Sequence, residues 1–288
     1  MKANRHIPFW GIVTALLFSS CVKDTLYDTP HPNKGAVTIT VQNTTAGDNY
    51  VAEIDGQTID ITSSPFTLPG LLEAGVYRLV IHNCPEGFTF DKSTAQVVAL
   101  TDNTENSSNK DDNPAIIPLP GYLYTISQEI TITADDTLRV NAVPVQRVRD
   151  LQFELEITQG RPELIQTVTG TFNNIAGTFD MEQGQTSGEP VSTVLSFTRE
   201  GSKLTANARL LGTMGSVQTL TLDIVFTDGG RTQRTEVDLT EAFADFNNDM
   251  TTSYRVTGTL ETPVGMEECN AEITGWEPMY GDDVNAEM

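Results

Sequence analysis

The sequence predicts an all-β protein built as β-sandwiches, and three observations carry that prediction. Apolar and polar residues alternate over many short runs, and Gly, Asn and Asp mark the turns between them. Thr, Val, Ile and Gly abound, while lysines and leucine-rich helical faces are scarce. Strands at this spacing suit a sandwich better than alternating strand–helix units.

The elements follow in order. Val37, Ile39 and Val41 alternate with Thr38 and Thr40, giving a first strand over 35–43 with one apolar face. After the turn Glu73-Ala74-Gly75, Tyr77, Leu79 and Ile81 alternate with Arg78 and Val80. Residues 101–113 hold no apolar side chain, and Pro114, Pro118 and Pro120 follow, which reads as a long excursion within a first domain. Strands resume at Tyr122–Tyr124. A domain boundary is expected near Asn141–Pro144, dividing the chain into 35–143 and 144–288.

The second domain opens on the strongest pattern, Leu151, Phe153, Leu155 and Ile157 against Gln152, Glu154 and Glu156. Leu204, Ala206, Ala208 and Leu210 repeat it. Leu220, Leu222, Ile224 and Phe226 lead into the turn Asp228-Gly229-Gly230. Tyr254, Val256 and Leu260, then Ala271 and Ile273, complete the series. One short helix is predicted over Leu239–Phe246: Asp238 and Glu241 have capping-box spacing, and Leu239, Ala242, Phe243 and Phe246 share a face. At that length it has to pack on a sheet to persist.

The first residues carry an address. Lys2 and Arg5 precede an apolar run, Ile7–Phe18, which ends in Ser19-Ser20-Cys21. That is a secretory leader, too short to span a bilayer as a helix. Cys21 after two serines looks like a lipobox, although Phe18 stands where Leu is usual. Cleavage between Ser20 and Cys21 and acylation of Cys21 would leave a lipoprotein, with 21–34 as a polar tether. Several acyl chains give stable anchoring, since each buried methylene adds about 0.8 kcal/mol. Lys23-Asp24 resembles a fragment of a surface-export signal.

The chain has 39 acidic and 17 basic residues, a net charge of −22. The leader removes two of those basic residues and none of the acidic ones. Such a surface excludes nucleic acid as a partner and disfavours adhesion to anionic lipid by charge.

Little in the sequence points to catalysis. His82 and Cys84 lie two apart on a strand, but no third group to orient them is evident. His31 falls in the tether. Asp245, Asn247 and Asp249 begin like a calcium loop, yet Met250 occupies the position of the turn glycine and Val256 that of the closing glutamate. Zinc-ligand spacing, phosphate loops and nucleophile elbows are missing, so the reading is a non-enzyme without metal or cofactor. Cys84 and Cys269 can either form a disulfide across a long loop or remain thiols. Trp276 is the sole tryptophan outside the leader and reads as a core or hinge residue rather than a sugar platform.

Several of these segments together resemble the type V fimbrial proteins of Bacteroidales. They are the start Cys21–Tyr27, the strand 36–41, Leu68-Pro69-Gly70 through Gly75-Val76-Tyr77-Arg78-Leu79-Val80, and Val145–Leu151. Gly212-Thr213-Met214-Gly215, Val237-Asp238-Leu239-Thr240 and Ile273-Thr274-Gly275-Trp276 extend the likeness over nearly the whole mature chain. The branch most resembled is that of minor subunits that anchor a fimbria to the outer membrane.

The resemblance implies two tandem transthyretin-like β-sandwich domains joined to neighbouring subunits by donor-strand exchange. It further implies shaft or minor fimbrial subunits as partners and an outer-membrane, cell-surface location. In shaft subunits of that family an Arg-specific protease removes the first strand. Here no Arg lies between Arg5 and Arg78. The strand bearing Val37, Ile39 and Val41 is therefore expected to stay in place, as befits a fixed base. Ala271, Ile273 and Trp276 are the candidates for docking at the far end. The competing reading is a surface lipoprotein of the same fold that binds glycan or a protein partner.

Overall fold

A computed structural model describes residues 33–42, 49–100, 114–227, 230–262 and 272–279. The leader, Ser20, Cys21, most of the tether and the stretch 101–113 fall outside those residues. The first strands are β1 (Lys34–Val41), β2 (Tyr50–Ile54), β3 (Gln57–Ile61), β4 (Phe66–Thr67), β5 (Leu72–Glu73) and β6 (Gly75–Asn83). Next come β7 (Phe88–Asp91), β8 (Thr94–Val97), β9 (Ala115–Ile116), β10 (Tyr124–Ile132), β11 (Thr137–Ala142) and β12 (Val145–Gln146). The remainder carries β13 (Arg149–Gln159), β14 (Ile165–Asp180), β15 (Gln185–Glu200), β16 (Lys203–Leu210), β17 (Thr219–Phe226), β18 (Thr232–Asp238), β19 (Tyr254–Glu261) and β20 (Glu272–Met279). The protein is all-β.

Two sheets enclose the first core. One has the order β11-β1-β4, with β5 also on β1, and the other runs β12-β10-β6-β2-β3. Val37, Ile39 and Val41 from β1 meet Leu79 and Ile81 from β6 and Ile130 and Ile132 from β10 between them. Period-two alternation explains this directly, since β1 buries every second side chain.

The second core lies inside one long sheet that folds over itself, in the order β18-β17-β14-β15-β16-β13-β19-β20. β15 makes the turn between layers: its early residues pair with β14 and its last with β16. Large and small residues alternate across the β13–β16 pair, with Phe153 opposite Ala206 and Leu151 opposite Ala208. That leaves room for Phe172 of β14 to reach Phe153 edge-on at 5.5 Å, with Phe243 closing the cluster at 4.8 Å from Phe172. Burying each such ring contributes about 1.5–3 kcal/mol.

Sheet membership and sequence order part company between the two cores. β8 pairs with β14, β9 pairs with β15, and Ala95, Val97, Ile116 and Leu123 lie in the second core. The flanks of the polar excursion are thus held by the larger sheet. β6 differs from its sequence pattern for the same reason. Alternation marks Arg78 and Val80 as a wet face, yet Val80 and His82 are buried, because that face packs against β7 and the second core.

The predicted helix over Leu239–Phe246 is not formed. The chain makes one i→i−4 bond, Phe243 N to Leu239 O (3.0 Å), and then tightens into a 3₁₀ turn over Phe246–Asn248. Asp238 accepts from the Thr240 amide (2.8 Å) instead of capping a longer helix, and eight residues are too few to offset nucleation. The apolar face is nonetheless used: Leu239, Ala242, Phe243 and Phe246 are all buried.

Candidate functional site

β1 is the most firmly seated of the expected assembly strands. It runs parallel to β11, from Ala36 opposite Thr137 to Val41 opposite Ala142, and antiparallel to β4 on its other side. Val37 and Ile39 are 0 % exposed. Its ends are tied down as well. The Val41 amide donates to Ser64 Oγ, which in turn donates to the Val41 carbonyl, both at 3.1 Å. Thr38 and Thr67 hydroxyls meet at 3.0 Å. At the entry, Gly35 is required by close approach: a Cβ there would lie 2.4 Å from the Thr133 carbonyl oxygen.

β20 is the opposite case. It pairs antiparallel with β19 at the end of the large sheet, and its other edge carries no strand among the described residues. Ile273 is half-buried against the second core. Trp276 falls within β20 at the register shift between Thr257 and Thr259, but its side chain is not among those described. Ala271 and Cys269 also lie outside the described residues. Cys84 is a free cysteine at an exposed position, and partial desolvation together with the negative charges of Asp60 and Glu53 pushes its pKa up. His82 spends Nδ1 on the Asn83 carbonyl (2.8 Å) and stacks on Phe90 at 4.6 Å.

The three residues of the calcium-like run face different partners. Asp245 accepts from Asn248, Asn247 from the Thr213 amide, and Asp249 from Thr251 and Thr252. Those last bonds hold the Asp249 carboxyl well below the usual range. Among the described residues no group of three His, Cys, Asp or Glu is placed to hold a metal ion. None of the described helices is long and apolar enough to cross a membrane.

A feature that sequence reading missed is a crevice where the first unit meets the second. Its floor is the outer face of the β10–β6 pair, with Ser127 and Arg78. The tip of the β14–β15 hairpin, Glu182-Gln183-Gly184, forms the facing wall, and Arg147 enters from the link between β12 and β13. The space is about 560 Å³. Arg147 donates Nε to Thr125 Oγ1 at 2.9 Å and lies 5.2 Å over the Phe179 ring. Burial lowers its pKa. Six residues spread from 78 to 184 give no spacing signal, so only the fold could bring them together.

No protein-family model and no curated protein matches the sequence. Solved structures do match in fold. A candidate adhesin from Bacteroides ovatus superposes with a TM-score of 0.58 at 18% identity, covering 77% of this chain and 87% of that one. The fimbrial anchor protein Mfa2 from Porphyromonas gingivalis gives 0.54 at 12% identity, over 86% of this chain and 99% of its own. A second candidate adhesin from Bacteroides ovatus gives 0.54 at 7% identity, covering 86% and 96%. At these identities the likeness is one of fold.

Proposed function

We propose that the chain is a non-enzymatic anchoring subunit of a cell-surface fimbria. In this reading, cleavage after Ser20 exposes Cys21, whose acylation holds the mature chain to the outer membrane. Residues 35–143 and 144–288 form its two domains, and shaft or minor subunits join it by strand addition.

The observation that carries the reading is the seat of β1. A subunit that receives a neighbour's strand in this groove must first vacate it, whereas β1 is paired on both sides and fully buried at Ile39. A filled groove at the tethered end suits a terminus of a polymer, and the edge of β20 that pairs with no strand among the described residues suits growth from the other end. The fold shared with Mfa2 supports the same reading.

The test is a pull-down of tagged protein from detergent-solubilised outer membrane, with Cys21 intact and as Cys21→Ala, run unheated and boiled on a denaturing gel. A ladder that collapses on boiling, retained on cells only with Cys21, is the expected outcome. A lone monomer from both proteins overturns the proposal.

A further inference from the structure

The crevice between the two units combines features that the assembly reading leaves unused. In a chain of net charge −22, two of the few guanidiniums line one space, and neither is paired with a carboxylate among the described residues. Arg147 uses only Nε, so its terminal nitrogens keep their donor capacity beside the Gly184 wall. Arg78 makes no hydrogen bond or ion pair with any described residue, even though Glu129 is its cross-strand neighbour. Ser127 Oγ is shielded from water and has no partner. Arg78 is exposed and Arg147 half-buried, so an incoming anion would exchange their water for charge-assisted hydrogen bonds.

Glu182 narrows the choice of ligand. It lines the same space without forming an ion pair with either arginine. A bare dianion such as sulfate would sit against this carboxylate and be repelled. A monoanion that also carries hydroxyl donors is complementary, because an ionised carboxylate only accepts hydrogen bonds. Gln183 Oε1 already accepts from Gln185 at 2.8 Å, so its amide nitrogen adds a donor. A space of about 560 Å³ has room for a single sugar ring.

We infer that the crevice is a binding site for a carboxylated sugar. The ligand carboxylate lies between Arg78 and Arg147 in the manner of guanidinium–carboxylate pairs, and Glu182 and Gln183 meet the ring hydroxyls. This inference is independent of the anchoring role, and either can fail alone.

The test is titration of the full chain with D-glucuronate, D-glucose, acetate and sulfate, followed by ligand-observed NMR. Glucuronate is expected to bind more tightly than the other three. Arg78→Gln, at an exposed position, should weaken glucuronate by about tenfold, the scale of one lost charge-assisted contact. Arg147→Lys should do the same. Glu182→Gln should raise sulfate affinity, which keeps the test informative if the Arg147 variant folds poorly. Equal binding of glucose and glucuronate, binding of acetate or sulfate as tight as glucuronate, or no response to Arg78→Gln overturns the site.

Discussion

Glu154 shows how one side chain can tie three strands. From β13 it accepts from Lys203 Nζ of β16 at 2.7 Å and from Arg255 of β19, while only 15 % exposed. Burial alone would raise its pKa, but the two cations outweigh that and hold it below the usual value. Glu154→Gln should therefore cost about 1.5–3 kcal/mol at neutral pH, measured by denaturant unfolding. Because the folded pKa is depressed, this contribution is present above the unfolded value of about 4.3 and is lost as pH falls through the folded one. The gap between wild type and variant should thus shrink below about pH 4; a gap that widens in acid contradicts the assignment. The sequence showed Glu154 as a polar face residue of a strong strand, but not its clamps, which lie about 50 and 100 residues away in the chain and depend on strand register.

At the scale of elements, the strands that were legible are those whose alternation is unbroken. β1, β13, β16 and β17 bury the apolar residues their patterns mark. The two longest, β14 and β15, left no such signal. Their pairing slips at Phe172/Ile175 and again at Ala176/Thr178, so the period resets twice, and Gly170 and Gly177 interrupt the apolar series. Parallel pairing of β1 with β11 and of β13 with β19 is likewise invisible in local pattern, since it joins distant segments. The seat of β1 makes two predictions. Ile39→Ala should destabilise by about 2–5 kcal/mol, as a fully buried core truncation. Gly35→Ala should cost about 1–3 kcal/mol, because the new methyl meets a backbone carbonyl that cannot rotate away. Unfolding midpoints unchanged from wild type would show that β1 is not held as described.

At the scale of the molecule, the acidic excess was read from composition and has a consequence for folding. With 39 acidic against 17 basic residues, like charges repel in the compact state. Raising salt from about 0.01 M to about 0.15 M shortens the screening length from about 30 Å to about 8 Å. The thermal midpoint should rise over that range, in contrast to a protein held mainly by surface ion pairs. The recruitment of β8 and β9 into the larger sheet was not legible in the sequence, because their short runs carry no sign of which sheet they join.

The parallel pairs also decide how the chain bears mechanical load. Tension applied ahead of Lys34 and beyond Ala142 pulls β1 and β11 in opposite directions along their length. Every rung from Ala36–Thr137 to Val41–Ala142 is then strained together, in shear. Had the two strands been antiparallel, the same pull would have opened them like a zip, one rung at a time. β13 and β19 repeat the shear arrangement from Leu151–Tyr254 to Ile157–Leu260. β20, antiparallel to β19, is the exception and would peel away first from the Arg255–Met279 rung. Single-molecule stretching between residues preceding β1 and following β20 should accordingly give an early low-force extension, followed by rupture at much higher force.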